Sequence, residues 1–306
     1  MKVLITGASG LIGTALTASL RAQGHEPVPL VRTTPRPGER RWDPARGELD
    51  DEVFDGVDGV VHLAGAGIGS HRWTGEYKRV LRDSRVGATA LLAEAMARLD
   101  HPPRVLVSGS AIGWYGDRGD ELLTEASQPG AGFLAELCRD WERATRPASE
   151  AGVRVAHIRT GIVLSPDGGA LARQLPLFRM GLGGRFGNGR QWQSWISIDD
   201  EVAAIEHLLT HPVSGAVNLT APEPVTNAEL TATLGRVLHR PAPWPIPRFA
   251  PALLLGGELV DAVLFNGQRV VPSVLQESGF SFAHPTLEPA LRALLDRRDA
   301  RAPTAA

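Results

Sequence analysis

The chain has 306 residues, of which 43% are hydrophobic and 22% are charged, as is ordinary for a soluble globular protein. Its 32 Lys and Arg residues and 34 Asp and Glu residues give a net charge of -2, so we expect no nucleic-acid partner and no membrane binding. The single cysteine, Cys138, cannot form an internal disulfide, which favours a reducing, cytoplasmic location. We also expect no signal peptide, no membrane span and no metal site.

The first two-thirds of the chain alternates short apolar runs with helical patterns. Strands are predicted over 3–6, 28–32, 59–64, 105–110 and 153–163, and helices over 11–23, 75–99 and 133–151. This alternation is typical of the doubly wound parallel sheet of a Rossmann α/β fold, here with about seven strands. Pro27 and Pro29 remove two backbone donors on one side of the second strand, so we expect it to pair well with the first strand and weakly outward.

After about residue 165 the chain becomes richer in glycine and proline. One further strand is predicted over 216–219, and helices are predicted over 199–211, 226–239, 252–264 and 287–295. We therefore predict a Rossmann domain at 1–166, completed by about 199–219, and a small mixed substrate domain at 167–198 and 220–296. The last residues, 297–306, are predicted to be a disordered tail.

The strongest motif is the segment GASGLIG, which follows the first strand and opens the first helix. Its first glycine allows a tight turn, its second allows close approach of a pyrophosphate, and its third allows helix and strand to pack closely. The motif predicts a dinucleotide site whose residues are Gly7, Ser9, Gly10, Leu11, Ile12 and Gly13. The alternative is a glycine-rich turn that binds no ligand.

Two further segments bear on the cofactor. Arg32 ends the second strand, where an NAD site usually has an acidic residue, and a guanidinium suits a 2′-phosphate. We therefore expect NADP, with NADPH preferred over NADH, although Arg32 would also fit as a solvated surface residue. Leu63, Ala64 and Gly65 end another strand, where small residues would run beside a ribose or pyrophosphate or simply form a tight turn.

Several longer segments resemble one known family. They are HLAGAGI, HRWTGEYKRVLRDSR, SGSAIGWYGD, RTGIVLSPDGGAL, GLGGRFGNGRQWQSWISIDD and NLTAPEPVTNAEL, together with GASGLIG. The chain resembles the extended short-chain dehydrogenase/reductases of the NAD-dependent epimerase/dehydratase type, in the "epimerase family protein" subgroup. The C-terminal LLLGGELVDAVLFNGQRVVPSVLQESGF is similar to the domain of unknown function that ends that subgroup. The resemblance covers about residues 1–296 and implies NADP(H) binding, but no known reaction.

The superfamily's chemistry uses a Ser, a Tyr-x-x-x-Lys pair and often an Asn. The resemblance places the Ser on Ser110 and the Asn on Ser84. Counting back from Glu142 places the Lys on Cys138 and the Tyr on Leu134. In the superfamily the Tyr is the general acid or base, and the Lys lowers its pKa and holds the nicotinamide ribose. Both members of this pair are therefore replaced.

Two residues are candidates to replace the lost pair. Tyr115 lies five residues after Ser110 and would supply a phenolic proton to a carbonyl, or would only line the pocket. Cys138 would be a nucleophile if its pKa were lowered, or a small buried residue on a helix. The candidate catalytic residues are Ser110, Tyr115 and Cys138.

The remaining candidates would bind the cofactor or the substrate. Arg85 would pair with a phosphate or with the nicotinamide end of the cofactor, or form a salt bridge on the helix surface. Ser108 and Ile162 complete the predicted cofactor site. The glycine-rich loop at 183–192 would bind a phosphate, a carboxylate or a sugar ring, or only connect elements. Its candidate substrate ligands are Arg185, Arg190 and Gln191.

Two functions remain open at this point. The first is an NADP(H)-dependent oxidoreductase or epimerase-like enzyme acting on a small carbonyl or sugar-like molecule, with Tyr115 and Ser110 polarising the oxygen. The second is an NADPH-binding sensor that has lost catalysis, which the missing Tyr-x-x-x-Lys pair favours. Analogy with the fold also predicts a homodimer formed through the helices at 75–99 and 133–151.

Overall fold

The computed structural model describes the backbone of residues 1–301 and the side chains of residues 1–296. Within this range the chain forms two compact units. The first unit comprises Met1–Trp114, Pro129–Arg159 and Val202–Val217, and the second comprises Tyr115–Gln128, Thr160–Glu201 and the chain from Asn218 onward. None of the helices in residues 1–301 combines the length and the apolar character that a membrane span requires.

The strands and helices are numbered in chain order. The strands are β1 (Lys2–Thr6), β2 (Glu26–Val31), β3 (Arg40–Arg41), β4 (Gly59–His62), β5 (Val105–Ala111), β6 (Leu122–Leu123), β7 (Arg154–Thr160), β8 (Ile162–Leu164), β9 (Gly184–Phe186), β10 (Trp192–Gln193), β11 (Trp195–Ser197), β12 (Gly215–Leu219), β13 (Val225–Thr226), β14 (Trp244–Ile246) and β15 (Arg269–Val270). The helices are α1 (Leu11–Ala22), α2 (Gly75–Arg82), α3 (Ala88–Arg98), α4 (Phe133–Arg143), α5 (Arg146–Glu150), α6 (Gly169–Arg179), α7 (Ile198–Thr210), α8 (Asn227–Val237), α9 (Phe249–Leu255), α10 (Gly257–Val260), α11 (Ser273–Glu277) and α12 (Leu287–Arg301).

Seven strands form one parallel sheet in the order β12-β7-β5-β4-β1-β2-β3. This sheet confirms the predicted Rossmann α/β fold. Because its strands are parallel, their carboxyl ends meet at one edge, where ligands of open α/β sheets bind. The remaining strands form two-stranded pairs: β10 with β13, β11 with β8, β14 with β9 and β15 with β6.

The prolines of β2 have the effect expected from the sequence. β1 pairs with β2 along its whole length, including at Pro27 and Pro29. On the other side, β3 pairs with β2 only through Leu30 and Val31, after the prolines. Proline lacks the N–H that a neighbouring strand would need, so the outward pairing is short.

The helix predicted over 75–99 is present but is not uniform. A π-helical turn at Asp83–Gly87 separates α2 from α3. A π-helical turn holds one residue more than an α-helical turn and often occurs at functional sites. Here it places a charged residue, Arg85, at a position that is only 8% exposed.

Two other predicted elements are interrupted. The helix predicted over 133–151 is present as α4 and α5, and between them Thr145 Oγ1 donates to the carbonyl oxygen of Glu142 at 2.8 Å. The strand predicted over 153–163 breaks at Gly161, where a Cβ atom would lie 2.2 Å from the carbonyl oxygen of Ser194. The chain then continues as β8, which pairs with β11.

In the second unit, a capping box begins α8. Thr226 and Glu229 form a capping box, with each side chain accepting the other's backbone N–H. The helix predicted over 252–264 is divided, since Gly256 adopts a φ of 87° between α9 and α10. α12 continues to Arg301, five residues into the segment predicted as a disordered tail, whose residues 302–306 lie outside the described chain.

Each unit contains an apolar cluster. In the first unit, residues of the sheet pack against α3 and the segment that precedes β4; they include Leu4, Leu30, Trp42, Phe54, Val60, Leu92, Met96 and Leu106. In the second unit, residues of α6, α8 and α12 pack around Trp195; they include Leu171, Leu175, Phe178, Leu230, Leu234, Leu291 and Leu294.

Glu201 is a buried acid at the boundary of the second unit. Its Oε1 accepts a hydrogen bond from Thr160 Oγ1 at 2.9 Å, and Oε2 has no hydrogen-bond partner among the described residues. Burial raises the pKa of Glu201 to about 8, and the hydrogen bond from Thr160 opposes this rise. The folded chain therefore holds a proton on Glu201 at neutral pH.

Glu201→Gln should raise the melting temperature, by at least about 2 °C near pH 8. In the unfolded chain a glutamate releases its proton near its ordinary pKa of 4.5, whereas in the folded chain it does so only near 8. The stability that the protonated Glu201 contributes is therefore fully present at low pH and is lost as the pH rises through this window. Glutamine does not titrate, so the variant does not lose this stability. Calorimetric melts of both proteins across the window measure the difference.

The exposed Glu277 offers a control, because Glu277→Gln makes the same chemical change at the surface. Its melting temperature should follow that of the wild type at every pH. A difference between Glu201→Gln and wild type that does not grow with pH would contradict a proton held on Glu201.

Candidate active site

Glycines shape the turn between β1 and α1 through backbone contacts. Gly7 has a φ of +68°, and a Cβ atom there would lie 2.9 Å from the carbonyl carbon and oxygen of Leu63. A Cβ atom on Gly13 would lie 2.2 Å from the carbonyl oxygen of Gly7. No larger residue fits either position without moving the backbone, so the turn packs directly against the end of β4 and the start of α1.

The start of α1 offers N–H groups to an anion. Gly10 is its N-cap, no side chain caps it, and its first turn contains no acidic residue. The first N–H groups of a helix have no acceptor within the helix. Here they belong to Leu11, Ile12 and Gly13. Ser9 is exposed beside them, and a pyrophosphate fits such a helix N-terminus.

Arg32 follows β2 and is exposed. Within residues 1–296 its guanidinium takes part in no hydrogen bond or ion pair. A guanidinium in this state keeps all its N–H groups for a ligand such as a phosphate.

A threonine holds the residues at the end of β4 and just after it in place. Thr6 Oγ1 accepts the N–H groups of Leu63 and Ala64, each at 3.1 Å, and contacts His62 Nδ1 at 2.7 Å. His62 is fully buried, and burial lowers its pKa to about 4. It is therefore a neutral residue of the core.

Arg85 and Ser84 of the π-helical turn contact the loop after β4. Ser84 Oγ accepts the N–H of Ala66 at 3.1 Å, and Arg85 Nη2 donates to the carbonyl oxygen of Ala66 at 2.9 Å. A Cβ atom on Gly65 would lie 3.1 Å from Arg85 Cζ. The guanidinium also lies over the ring of Trp141, 5.2 Å from its centroid. Arg85 is thus held between the loop that follows β4 and helix α4.

A buried ion pair holds Ser110 at the end of β5. Ser110 Oγ donates to Glu142 Oε1 at 2.7 Å, while Arg159 donates to both carboxylate oxygens at 2.8 and 2.9 Å. The side chains of Arg159 and Glu142 are only 4% and 9% exposed, and the guanidinium lies 3.8 Å from the ring centroid of Trp114. Nearby on β5, the buried Ser108 Oγ has no hydrogen-bond partner among the described residues.

Leu134 and Cys138 pack beside the segment after β5. A Cβ atom on Gly113 would lie 3.2 Å from Leu134 Cβ and 3.9 Å from Cys138 Sγ. The thiol donates to the carbonyl oxygen of Ala111 at 3.7 Å. Burial, followed by the negative charge of Glu142, raises the pKa of Cys138 to about 12. A thiol in this state is a poor nucleophile, and it matches the alternative of a small buried residue.

Tyr115 lies in the second unit and is fully buried. Its hydroxyl donates to Asn218 Oδ1 at 2.6 Å, and the Asn218 amide nitrogen donates to the carbonyl oxygen of Val271 at 3.0 Å. The second bond fixes the amide so that its oxygen faces Tyr115. The phenolic proton that a general acid would transfer is therefore engaged in this hydrogen bond.

A pocket of about 450 Å³ lies within the second unit. It is lined by Asp117, Gly119, Asp120, Asn188, Arg190, Gln191, Trp192, Phe265 and Gly267. Trp192 Nε1 donates to Asp120 at 2.8 Å, and Arg269 lies over the Trp192 ring at 4.5 Å. Of the predicted substrate ligands, Arg190 and Gln191 face this pocket, whereas Arg185 lies near the carbonyl oxygen of Pro243.

Comparison with known proteins identifies the family. The model of the NAD dependent epimerase/dehydratase family matches residues 3–220, and a domain of unknown function, DUF1731, matches residues 246–294. The chain belongs to the NAD-dependent epimerase/dehydratase family. An epimerase family protein of Mycobacterium tuberculosis is 48% identical over 291 residues, which cover 94% of this chain and 96% of the relative. The human epimerase family protein SDR39U1 is 35% identical, with 96% of this chain and 100% of the human protein covered.

Solved structures of the family agree with this fold. Human SDR39U1 (isoform 2), crystallised with NADPH, superposes with a TM-score of 0.88 at 34% identity, covering 97% of this chain and 99% of that chain. A nucleoside-diphosphate sugar epimerase from Corynebacterium glutamicum has a TM-score of 0.78 at 41% identity, covering 96% of this chain and 58% of that one. The UDP-glucose 4-epimerase of Thermotoga maritima, at 17% identity and a TM-score of 0.77, shares the fold.

The structure groups the predicted site residues within the two units. In the first unit, the glycine turn, the end of β4 and Arg85 form one connected set of contacts. The predicted residues in the second unit are Tyr115, Ile162, Arg185, Arg190 and Gln191. Sequence reasoning missed Arg159, Asp117 and Asp120. Arg159 gave one local signal, as a charged residue inside a predicted strand, whereas the aspartates stand in a glycine-rich loop without a pattern.

Glu142→Gln should lower the free energy of unfolding by about 3–5 kcal/mol. Glutamine keeps the shape and the hydrogen bond to Ser110 but leaves the buried Arg159 without a negative charge. Denaturant unfolding monitored by circular dichroism measures the change. Arg143→Ala is a matched control on the same helix, since Arg143 is 72% exposed and pairs with Asp140 at the surface. It should change stability by less than about 0.5 kcal/mol, and an equal effect of the two variants would contradict the buried ion pair.

Proposed function

We propose that the protein is an NADP(H)-binding oxidoreductase or epimerase-like enzyme that acts on a small carbonyl or sugar-like compound. The observation that carries this proposal is the glycine turn, where missing Cβ atoms and free helix N–H groups would accept a pyrophosphate. Membership of the family supports it, as does the NADPH in the human SDR39U1 crystal structure. The residues of the first unit that would hold the cofactor are Gly7, Ser9, Gly10, Leu11, Ile12, Gly13, Arg32, Leu63, Ala64, Gly65, Arg85 and Ser108.

The preference for NADP over NAD rests on Arg32. Its guanidinium is exposed and free of partners in the described chain, at the strand end where a dinucleotide's adenine ribose is recognised. A 2′-phosphate would provide the negative charge that this guanidinium lacks, whereas a ribose hydroxyl would not.

The chemistry would centre on Ser110. When bound, nicotinamide would accept a hydride from a substrate carbon or donate one to it. Ser110 directs its own proton to Glu142, so its oxygen remains free to accept a hydrogen bond from a substrate hydroxyl. Ser110 would in this way hold the substrate hydroxyl, and the proton released as that carbon is oxidised would pass to water, because protonation of Glu142 would leave the buried Arg159 without its negative charge.

The pocket of the second unit is the candidate site for the substrate. It combines a free basic side chain, Arg190, with the amide of Gln191 and the aromatic side chains of Trp192 and Phe265. Such a mixture suits a polar ring with a phosphate or carboxylate. The Corynebacterium relative is described as a nucleoside-diphosphate sugar epimerase, and this description supports a sugar-like substrate.

A second candidate function is an NADPH-binding sensor without catalysis. It is favoured by the residues at the positions of the family's acid–base pair. Leu134 cannot transfer a proton, and burial raises the pKa of Cys138 to about 12. Cofactor binding without turnover would distinguish this function from the first.

The deciding experiment is a screen of NADPH oxidation over aldehydes, ketones, quinones and nucleotide sugars, combined with calorimetry of NADPH binding. Oxidation by one class of compound would establish an oxidoreductase. Redox-neutral epimerisation would appear instead as a changed sugar, detected by chromatography. Binding of NADPH with neither reaction would favour the sensor, and absence of NADPH binding would refute both functions.

Arg32→Ala should weaken NADPH binding by about 10- to 100-fold while changing NADH binding less than about threefold. The reason is that only NADPH carries the 2′-phosphate. Calorimetric titration with both nucleotides measures the two losses. Arg21→Ala removes the same charge at the far end of α1 and serves as the control. Equal losses for both nucleotides would refute the 2′-phosphate role.

Ser110→Ala should reduce turnover by at least about 100-fold and leave the NADPH dissociation constant within about threefold. Tyr115→Phe should instead reduce stability by about 1–2 kcal/mol, through the lost bond to Asn218, and retain most turnover. Steady-state kinetics and thermal unfolding of both variants separate these effects. Loss of turnover in Tyr115→Phe with unchanged stability would restore Tyr115 as the acid.

A further inference from the structure

Arg85 is a buried cation without a buried counter-charge. It is 8% exposed, and its guanidinium donates to the carbonyl oxygens of Leu81 at 3.3 Å and Ala66 at 2.9 Å. Among residues 1–296 no carboxylate pairs with it. A guanidinium has five N–H groups, so most of its capacity to donate hydrogen bonds is unused.

The second buried arginine of the first unit shows the contrast. Arg159 is also buried, at 3% exposure, and Glu142 neutralises it through two hydrogen bonds. An unpaired buried charge is costly, and burial lowers the pKa of Arg85 accordingly. The chain thus provides a counter-charge for one buried arginine and none for the other, and this difference points to a ligand that completes the site of Arg85.

The position of Arg85 indicates which ligand part it would meet. The Gly7 turn contacts Leu63. Gly65, two residues after Leu63 in the chain, contacts the Arg85 guanidinium, because a Cβ atom on Gly65 would lie 3.1 Å from Arg85 Cζ. On its other side are Trp141 and Cys138, which lie one helical turn apart on α4. The positive charge of Arg85 is close enough to Cys138 to favour its thiolate, although burial of the thiol outweighs that effect.

We propose that Arg85 provides the fixed positive charge of the cofactor site in place of a lysine at position 138, and that its free N–H groups bind the nicotinamide half of the cofactor, whose phosphate would supply the missing negative charge. The positive charge would thus come from the π-helical turn and not from a lysine on α4. This inference rests on the proposed binding of NADP(H). It assigns Arg85 a cofactor contact that the helix-surface salt bridge, its alternative from the sequence, would not make.

The test compares a whole cofactor with a fragment. NADPH contains both halves of the dinucleotide, whereas adenosine 2′,5′-bisphosphate contains only the half that Arg32 and the glycine turn would bind. Arg85→Met removes the charge and keeps the length of the side chain. It should weaken NADPH binding by about 10- to 100-fold and change binding of the fragment less than about twofold, as measured by calorimetry. Arg79→Met, on the exposed face of α2, is the control.

A rescue experiment tests the exchange of positions. In the double variant Arg85→Met with Cys138→Lys, the lysine would restore NADPH affinity to within about tenfold of the wild type. Affinity as low as that of Arg85→Met alone would overturn the idea that the two positions are interchangeable. Equal losses of NADPH and fragment in Arg85→Met, or no loss, would overturn the cofactor contact itself.

Two further measurements keep the outcome interpretable. If Arg85→Met does not fold, Arg85→Lys replaces it. A lysine keeps the charge without the planar fork, and it should weaken NADPH binding partly while leaving the fragment unaffected. If the wild type binds the fragment but not NADPH, this inference fails alone. If the wild type binds neither, the proposed function fails first.

Discussion

The contact between the backbone of Gly7 and that of Leu63 determines how this protein can receive a dinucleotide. The two strand ends approach so closely that no Cβ atom fits between them. The surface that would hold a pyrophosphate is therefore made of backbone N–H groups, and a side-chain substitution does not change their ability to donate hydrogen bonds. Any preference between ligands must come from side chains on either side of the turn, and Arg32 and Arg85 are the charged residues placed there.

Buried charge is organised differently at the two ends of the site. Beneath Ser110, Glu142 and Arg159 neutralise each other and fix the hydroxyl in one orientation. Near Gly65, Arg85 is held only by carbonyl oxygens. The first arrangement is complete without a ligand, and the second leaves a charge that a ligand would complete. Both lie close to Trp rings, which accommodate the flat faces of the guanidinium groups.

Local patterns in the sequence predicted the sheet, the pairing of β2 and the glycine turn, because each depends on residues close together in the chain. The ion pair of Arg159 with Glu142 and the bond of Tyr115 with Asn218 join residues that are 17 and 103 positions apart, and no local pattern encodes them. The π-helical turn was also missed, since the apolar spacing of residues 75–99 suits a continuous α-helix. Gly161 ends β7 through a contact with Ser194 that only the folded chain reveals.

The π-helical turn has a consequence for how length changes would act on this chain. It contains one residue more than an α-helical turn, so everything after it is rotated by about 100° relative to an uninterrupted helix. A one-residue deletion there would convert the π-helical turn into regular α-helix without breaking the helix. α3 could then keep its buried face in the core only if α2, which precedes it, rotated about the helix axis. Such a deletion would tend to rotate Arg85 away from Gly65 while the fold survives. The site is thus more sensitive to the length of this helix than the fold is.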